Sequence, residues 1–560
     1  MKIIHKHGAI FLLLFFLAAY LIPLGTQDLI APDETRYGEI PREMVSSGDW
    51  VVPRLNGVRY FEKPTLGYWV HAGSLLIFGE NNFAVRLPSA LAVGLSALLI
   101  FALVRRVPRQ ETGEDGFLAP LAVLVYLGCL EVFAVGNAAV LDSLFSFFLT
   151  ATITAFYMAT ECPPGSRKEK GFLLLSGLAC GLAFLTKGFL SFAVPVLALV
   201  PYLLWQRRYA DLLRMSWLPI LSAILVALPW SLAIHGREPD FWRFFFWNEH
   251  IRRFMADDAQ HKASFWYFFL TAPGMFLPWT FVAPAAVAGL IGRISKQDPQ
   301  GRLLRFAICW LAFPFLFFSL SNGKLLTYIL PCFPPFAVLM AFGLFQVLRE
   351  NPRQRLVQWG VLLSAVFFGL ILSALLYVQI FSFNGIRPFN HPFKLMMIAV
   401  GLFFSLLFFA GAFRSRIGKD KVLFYGTAPL LLFFVVHYAI PVSTLEVRAP
   451  GPFIEQHARG LADADVIIAD EDSIGAVCWY LQRSDVYVLG VAGELEYGLG
   501  YKEAQGRLLG TRSAADLIRR HRGKAVLIAR VKRICQWADQ LPMPVFQDQN
   551  GSSGYVIWKY

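Results

Sequence analysis

The chain has 560 residues, 56% of them hydrophobic and only 16% charged, with 52 Phe and a formal net charge of +13. A soluble globular domain carries about 25% charged residues, so this composition is too apolar for one. The apolar residues form long runs instead of alternating with polar ones, which excludes a β-barrel and leaves a polytopic helical membrane protein. The basic residues recur in short connections between the runs, so a positive-inside bias accounts for the charge and no nucleic-acid partner is implied.

In chain order, the first run (8–24) follows Lys2, His5, Lys6 and His7. No small-residue cleavage motif precedes Asp33, so it reads as a retained first span and not as a signal peptide. Further spans are expected near 83–104, 117–135, 139–160, 171–186, 188–205, 216–235, 268–291, 303–320, 325–347, 357–380, 394–413 and 421–440. That makes about thirteen. Segment 64–78 is too short and mixed for a span and suits an interfacial helix. With the N-terminus cytoplasmic, the connections at 105–109, 167–170, 207–214, 293–302, 349–355 and 414–421 are inside, and each is basic. The short outer connections, near Gly136, Lys187, Lys324 and Arg387, hold at most one cation each. Everything after Ile440 then lies outside.

Beyond residue 440 the pattern changes. DVIIAD (465–470), DVYVLG (485–490), KAVLIAR (524–530) and GYVIWKY (554–560) read as short strands, with a helix near 514–521. The expected layout is a transmembrane region over 1–440, with long outer connections at 25–82 and 236–267, and an α/β domain over 441–560.

The first long connection carries PDETRYGEIPREMVSSGDWVVPRLNGVRYFEKPTLGYW (32–69). Carboxylates (Asp33, Glu34, Glu39, Glu62) alternate with cations (Arg36, Arg42, Arg59, Lys63) beside a bilayer, where unused charge is costly. The mixture suits a site for an anionic, phosphorylated lipid. Asp33 and Glu34 read either as reacting-centre carboxylates or as a helix start signal. Asp142, in VLDSLF, is either a cap or a second active-site acid. Lys187 and Lys324 sit at outer helix ends, where a lone lysine snorkels and several on one face make a phosphate site. Glu62, His250, His261 and Glu494 come from separate segments, so spacing alone does not make them a metal site. Nor does spacing settle whether Cys478 and Cys535 pair or stay free thiols. Nucleotide-binding fingerprints are missing from the chain.

These residues carry a resemblance. The 32–69 segment, FFWNEH with the DDAQH that follows it, TKGFL, GKLLTYILPCF and GELEYGLGY together resemble the lipid A 4-amino-4-deoxy-L-arabinose transferases of Gram-negative bacteria, membrane glycosyltransferases of the GT-C fold. The resemblance implies a donor of aminoarabinose on undecaprenyl phosphate and lipid A as acceptor, at the periplasmic face of the inner membrane. It also implies a monomer and resistance to polymyxin and other cationic peptides. It places catalytic acids at Asp33 and Asp142 and lipid-phosphate contacts at Arg36, Tyr60, Lys63, Arg253 and Tyr328. A divalent metal, zinc, would fall on Glu62, His250 and Glu494. Two other readings are a protein O-mannosyltransferase-like enzyme using a polyprenyl-phosphate sugar, and a lipid transporter. A transporter would place its polar residues at the bilayer midplane, with internal repeats, and this chain has neither feature.

Overall fold

The structure is a computed structural model that describes residues 2–107, 115–252, 262–349, 354–382 and 387–560. Among the described residues eight helices are long and apolar enough to cross a bilayer: Asn82–Arg105, Leu141–Thr160, Arg167–Lys187, Tyr209–Arg237, Pro299–Leu320, Leu326–Arg349, Gln354–Phe381 and Pro392–Arg414. Each falls on an expected span. Two further spans are bent pairs, Leu118–Leu127 with Leu130–Gly136 at 66° and Tyr267–Met275 with Trp279–Leu290 at 100°. The second bend falls at Pro278, which has no amide proton to continue a helix.

The other three expected spans are helical but shorter or broken. Gly8–Leu21 and Leu190–Trp205 are short apolar helices. The 421–440 segment divides at Pro429 into Gly418–Thr427 and Leu430–Val436. Tyr425, next to that break, is buried and donates to Pro278 O at 2.5 Å. A hydroxyl bonded inside an apolar bundle costs far less than one left unpaired. Leu66–Phe78, the expected interfacial helix, has 13 residues, about 20 Å of length against a hydrocarbon core of about 30 Å.

The chain forms two compact units. The first comprises residues 1–23, 89–232 and 246–439 and holds most of the apolar helices. The second gathers residues 24–88, 233–245 and 440–560. The first long polar connection and the start of the second, up to residue 245, thus contribute to the same unit as the tail.

Within the second unit, strands β1 (Arg54–Leu55) and β2 (Val58–Arg59) form an antiparallel hairpin. Asn56 and Gly57 make its turn with φ of 58° and 72°, the left-handed pair that a two-residue hairpin loop needs. The tail contains β3 (Val466–Ala469), β4 (Tyr487–Leu489), β5 (Leu508–Leu509), β6 (Ala525–Arg530), β7 (Phe546–Asn550) and β8 (Tyr555–Lys559). The sheet order is β5-β4-β3-β6-β8-β7. The first four strands are parallel; β8 and β7 are antiparallel additions at one edge. All residues of β3 and β6 are buried, as central strands covered on both faces require. The four expected strands and the expected helix, Thr511–Arg520, are present. The two-residue β5 and the polar edge strand β7 (FQDQN) carry too little apolar pattern to be read from sequence.

The two connections are tied to the tail and to each other by specific bonds. Asn56 is fully buried and pairs with Val486 as a strand residue would, donating to its carbonyl at 2.7 Å and accepting its amide at 2.9 Å. Arg507 adds bonds to Asn56 O and Oδ1, both at 2.8 Å. Arg237 donates to Asp49 at 2.8 Å. Asp240 accepts from Tyr497 at 2.5 Å and from Tyr501.

Candidate functional site

The helix Asp33–Ser47 starts directly after Pro32, with Asp33 and Glu34 in its first turn, where the helix dipole favours acids. It ends at Gly48 in the left-handed conformation. A three-residue step brings Asp33 and Arg36 onto one helical face, and Arg36 Nη2 donates to Asp33 Oδ1 at 2.5 Å. The other arm of Arg36 donates to Glu494 Oε2. That same oxygen accepts from the Tyr60 hydroxyl at 2.7 Å.

Glu494 is supplied by the short turn Gly493–Leu495 that follows β4, and Tyr60 by the residue that follows β2. The cluster therefore lies beyond the carboxyl end of a parallel strand, the usual place for sites in α/β sheets. Lys63 Nζ donates to Glu62 O at 2.8 Å and stands 3.9 Å from its carboxylate. The Arg36 guanidinium lies 5.0 Å from the Tyr37 ring centroid, and Tyr37 in turn stacks on Tyr68 and His71.

The electrostatics follow from these contacts. Burial alone would raise the pKa of Glu494, but the Arg36 charge, the Tyr60 hydrogen bond and Lys63 together hold it down at about 2. Burial works against the Arg36 cation, yet Glu494 and its other neighbours push its pKa well above the ordinary value. Burial also raises Tyr60 and Tyr68, so both hydroxyls stay protonated as donors. The result is a permanently charged cation clamped between two carboxylates. One of these, Asp33, is 60% exposed at its side chain and free to meet a ligand.

Not every charge in the loop belongs to this cluster. Glu34 turns inward and pairs with Arg86 through both oxygens at 2.7 Å. Arg86 also donates to the carbonyls of Leu24, Gln27 and Asp28. Glu39 and Arg42 form a buried pair at 2.7 Å, and Glu43 accepts the Gly57 amide at 2.9 Å. Arg59 pairs with Glu238 at 2.8 Å and with Glu503. These five acids and bases of the motif hold the loop in shape.

In the first unit, Asp142 lies in the first turn of Leu141–Thr160, and Lys187 ends Arg167–Lys187. They meet as an ion pair at 2.6 Å, both side chains largely buried, and Lys187 Nζ lies 5.0 Å from the Tyr328 ring centroid. Neither Asp33 nor Asp142 caps its helix; the cap positions are Pro32 and Val140. Lys324 is buried and donates to the carbonyls of Ala263 and Ser321, so it ties a loop together, a role neither sequence reading foresaw.

Arg253 and His261 lie outside the described residues, as does the side chain of His250. Among the described residues no three His, Cys, Asp or Glu side chains gather as a metal site. The two described carboxylates of the expected metal set, Glu62 and Glu494, have Lys63 and Arg36 beside them. Those two cations already engage the carboxylates, and the third residue of the set, His250, has its side chain outside the described residues. Cys478 and Cys535 are both free thiols, one buried and one exposed. Tyr37, Tyr68 and His71 escaped the sequence reading as site residues. Tyr68 is fully buried, and among the described residues its hydroxyl has no hydrogen-bond partner. The spacing of Tyr68 and His71, three apart on a helix whose chain has just left Lys63, was the signal available.

Comparison with known proteins places these features in a family. Residues 7–245 match the dolichyl-phosphate-mannose-protein mannosyltransferase family. Residues 445–557 match the C-terminal domain of the arabinosyl transferase ArnT. The undecaprenyl phosphate-alpha-4-amino-4-deoxy-L-arabinose arabinosyl transferase of Shewanella sediminis is 40% identical over 556 residues, covering 98% of each chain. Its counterpart from Aeromonas hydrophila subsp. hydrophila is 42% identical over 88% of each. The crystal structure of ArnT from Cupriavidus metallidurans bound to undecaprenyl phosphate shares the fold, with a TM-score of 0.80 at 23% identity over 98% of this chain and 97% of that one. With a likeness that runs nearly end to end, the chain belongs to the undecaprenyl phosphate-alpha-4-amino-4-deoxy-L-arabinose arabinosyl transferases, multi-pass membrane glycosyltransferases of the GT-C fold.

Proposed function

We propose that this enzyme moves 4-amino-4-deoxy-L-arabinose from undecaprenyl phosphate to a phosphate of lipid A. It acts as a monomer in the bacterial inner membrane, with its N-terminus cytoplasmic and its C-terminal domain at the periplasmic face. The observation that carries the reading is the Asp33–Arg36–Glu494–Tyr60 network, a fixed cation beside an exposed carboxylate.

Both the leaving group and the acceptor are phosphates. A phosphate monoester is already ionised at neutral pH, its second pKa being about 6. The acceptor therefore needs little help from a general base. The work left to the protein is to hold two anions about one anomeric carbon and to stabilise charge as it moves. Arg36 and Lys63 hold the donor phosphate as the glycosidic bond breaks and its electrons pass to the phosphate oxygen. Tyr60 and Glu494 fix the Arg36 side chain. Asp33 faces the positive charge that develops on the sugar, or the sugar's ammonium group. Asp142 is a second acid for that ammonium, and Tyr328 and Arg253 are further contacts to lipid phosphate. Adding an amine to lipid A lowers its negative charge and so weakens binding of polymyxin and other cationic peptides.

The test is Asp33→Asn, assayed with purified donor lipid and lipid A. Loss of turnover with donor binding retained supports the reading; near-normal turnover removes Asp33 from the chemistry. The mannosyltransferase match at residues 7–245 favours one competitor, transfer to a protein hydroxyl, in which Asp33 would serve as a base. Mass analysis of lipid A from cells with and without the protein separates the two, because only the first adds aminoarabinose to lipid A.

A further inference from the structure

Within the first unit a cavity of about 160 Å³ opens among the ends of several apolar helices. Three arginines line it: Arg105 at the end of Asn82–Arg105, Arg293 just after Ala283–Leu290, and Arg349 at the end of Phe333–Arg349. Its apolar wall includes Phe101, Leu118, Phe342 and Phe345, and the described lining contains no Asp or Glu. The Arg105 and Arg349 guanidiniums lie over the rings of Phe101 and Phe345, at 5.9 and 5.7 Å. Arg293 donates to the side chain of Gln300.

A lone arginine at a helix end needs no explanation beyond snorkelling and the positive-inside bias. Three lining one cavity with no carboxylate in its described lining do. Three other arginines at helix ends of this unit are neutralised: Arg302 by Glu161 at 2.7 Å, Arg208 by Asp211 at 2.6 Å and Arg214 by Glu169 at 2.7 Å. Converging like charges repel unless an anion joins them. The wall beneath is rigid. Gly289 and Gly343 meet backbone to backbone, and a Cβ on Gly289 would lie 2.1 Å from Gly343 O. The connections that carry these arginines are those expected on the cytoplasmic side.

We propose that this cavity binds the phosphate of an anionic phospholipid from the surrounding leaflet, with the start of its acyl chains against the aromatic wall. The guanidiniums supply planar donors matched to phosphate oxygens. The apolar wall selects a lipid over a free phosphate ion. None of its residues is among those assigned a part in the reaction.

The test is native mass spectrometry of the full-length protein in detergent, titrated with phosphatidylglycerol, with phosphatidylethanolamine of the same chains, and with inorganic phosphate. Phosphatidylglycerol is expected to bind about tenfold more tightly than phosphatidylethanolamine, and Arg105→Gln/Arg293→Gln/Arg349→Gln to remove that preference. Arg302→Gln, at a paired arginine, leaves it unchanged. Arg105→Glu and Arg349→Glu, single changes at exposed helix ends, repeat the test with little risk to folding and should each weaken binding at least about threefold. Undiminished binding in these variants overturns the proposal, as does an equal loss in Arg302→Gln. Competition by inorganic phosphate at the same concentration overturns the lipid assignment. Loss of undecaprenyl phosphate binding in the triple variant would reassign the cavity to the donor.

Discussion

Asp33 and Glu34 are adjacent and carry the same charge, yet they belong to two regions of the second unit with opposite character. Around Glu34 every bonding capacity is used: two bonds to Arg86, the Ile30 amide at 2.7 Å, and an arginine whose other protons go to three carbonyls. Around Asp33 capacity is left over. One oxygen meets Arg36 and the side chain is mostly exposed. Arg36 divides itself between two carboxylates, and its Nε is buried with no partner among the described residues. A saturated network resists change and holds a loop in place. An unsaturated one of the same residue types keeps groups ready for a ligand. In a loop this rich in charge, saturation separates scaffold from site better than charge does.

The largest expected effect tests the scaffold side. Glu34→Ala leaves Arg86 buried without its counter-charge, which should cost about 3–5 kcal/mol of stability, read as a lower unfolding midpoint in detergent. An unchanged midpoint would erase the distinction between the two regions. Next comes the site side. Asp33→Asn should reduce turnover by about a hundredfold or more while leaving the midpoint within error of the parent. If the midpoint instead fell as in Glu34→Ala, Asp33 would join the scaffold.

Asn56→Ala sharpens the comparison at a second scaffold point. It removes the strand-like bonds to Val486 and leaves buried partners of Asn56 unmatched. A loss of about 1–3 kcal/mol is expected, with turnover per folded molecule unchanged.

Glu494 gives a pH test of smaller size. Its pKa is depressed from the ordinary 4.5 to about 2, so its pairing contributes stability that is complete above 4.5 and is lost as pH falls through about 2. Tyr60→Phe removes one of the groups that hold it down, so the acid loss should begin at higher pH; an identical acid-unfolding curve would argue that Tyr60 does not support Glu494. The smallest effect is expected from Arg302→Gln, whose partly exposed pair with Glu161 should be worth about 0–1 kcal/mol.

Much of the architecture can be read along the chain. Apolar run lengths located the helices of the first unit, and alternating apolar runs located β3, β4, β6 and β8, because hydropathy and strand pattern are local properties of consecutive residues. The Asp33–Arg36 contact is local too, set by helical spacing. The Asn-Gly turn was present as a signal, but the strands on either side are two residues long and too short to read. Nothing along the chain connects Glu494 to Arg36, since 458 residues separate them. The joining of the first connection and the start of the second with the tail in one unit, and the inward turn of Glu34 beside the outward turn of Asp33, left no trace in composition or spacing.

The amino-acid sequence by itself determined where the chain crosses apolar surroundings, where it forms strands, and which charges are available near a membrane surface. Each of those follows from solvation and backbone preference over a few neighbouring residues. The tertiary structure alone decided which charges neutralise one another and which stay open. An ion pair depends on the distance between side chains brought by different segments, and that distance exists only once the backbone has folded.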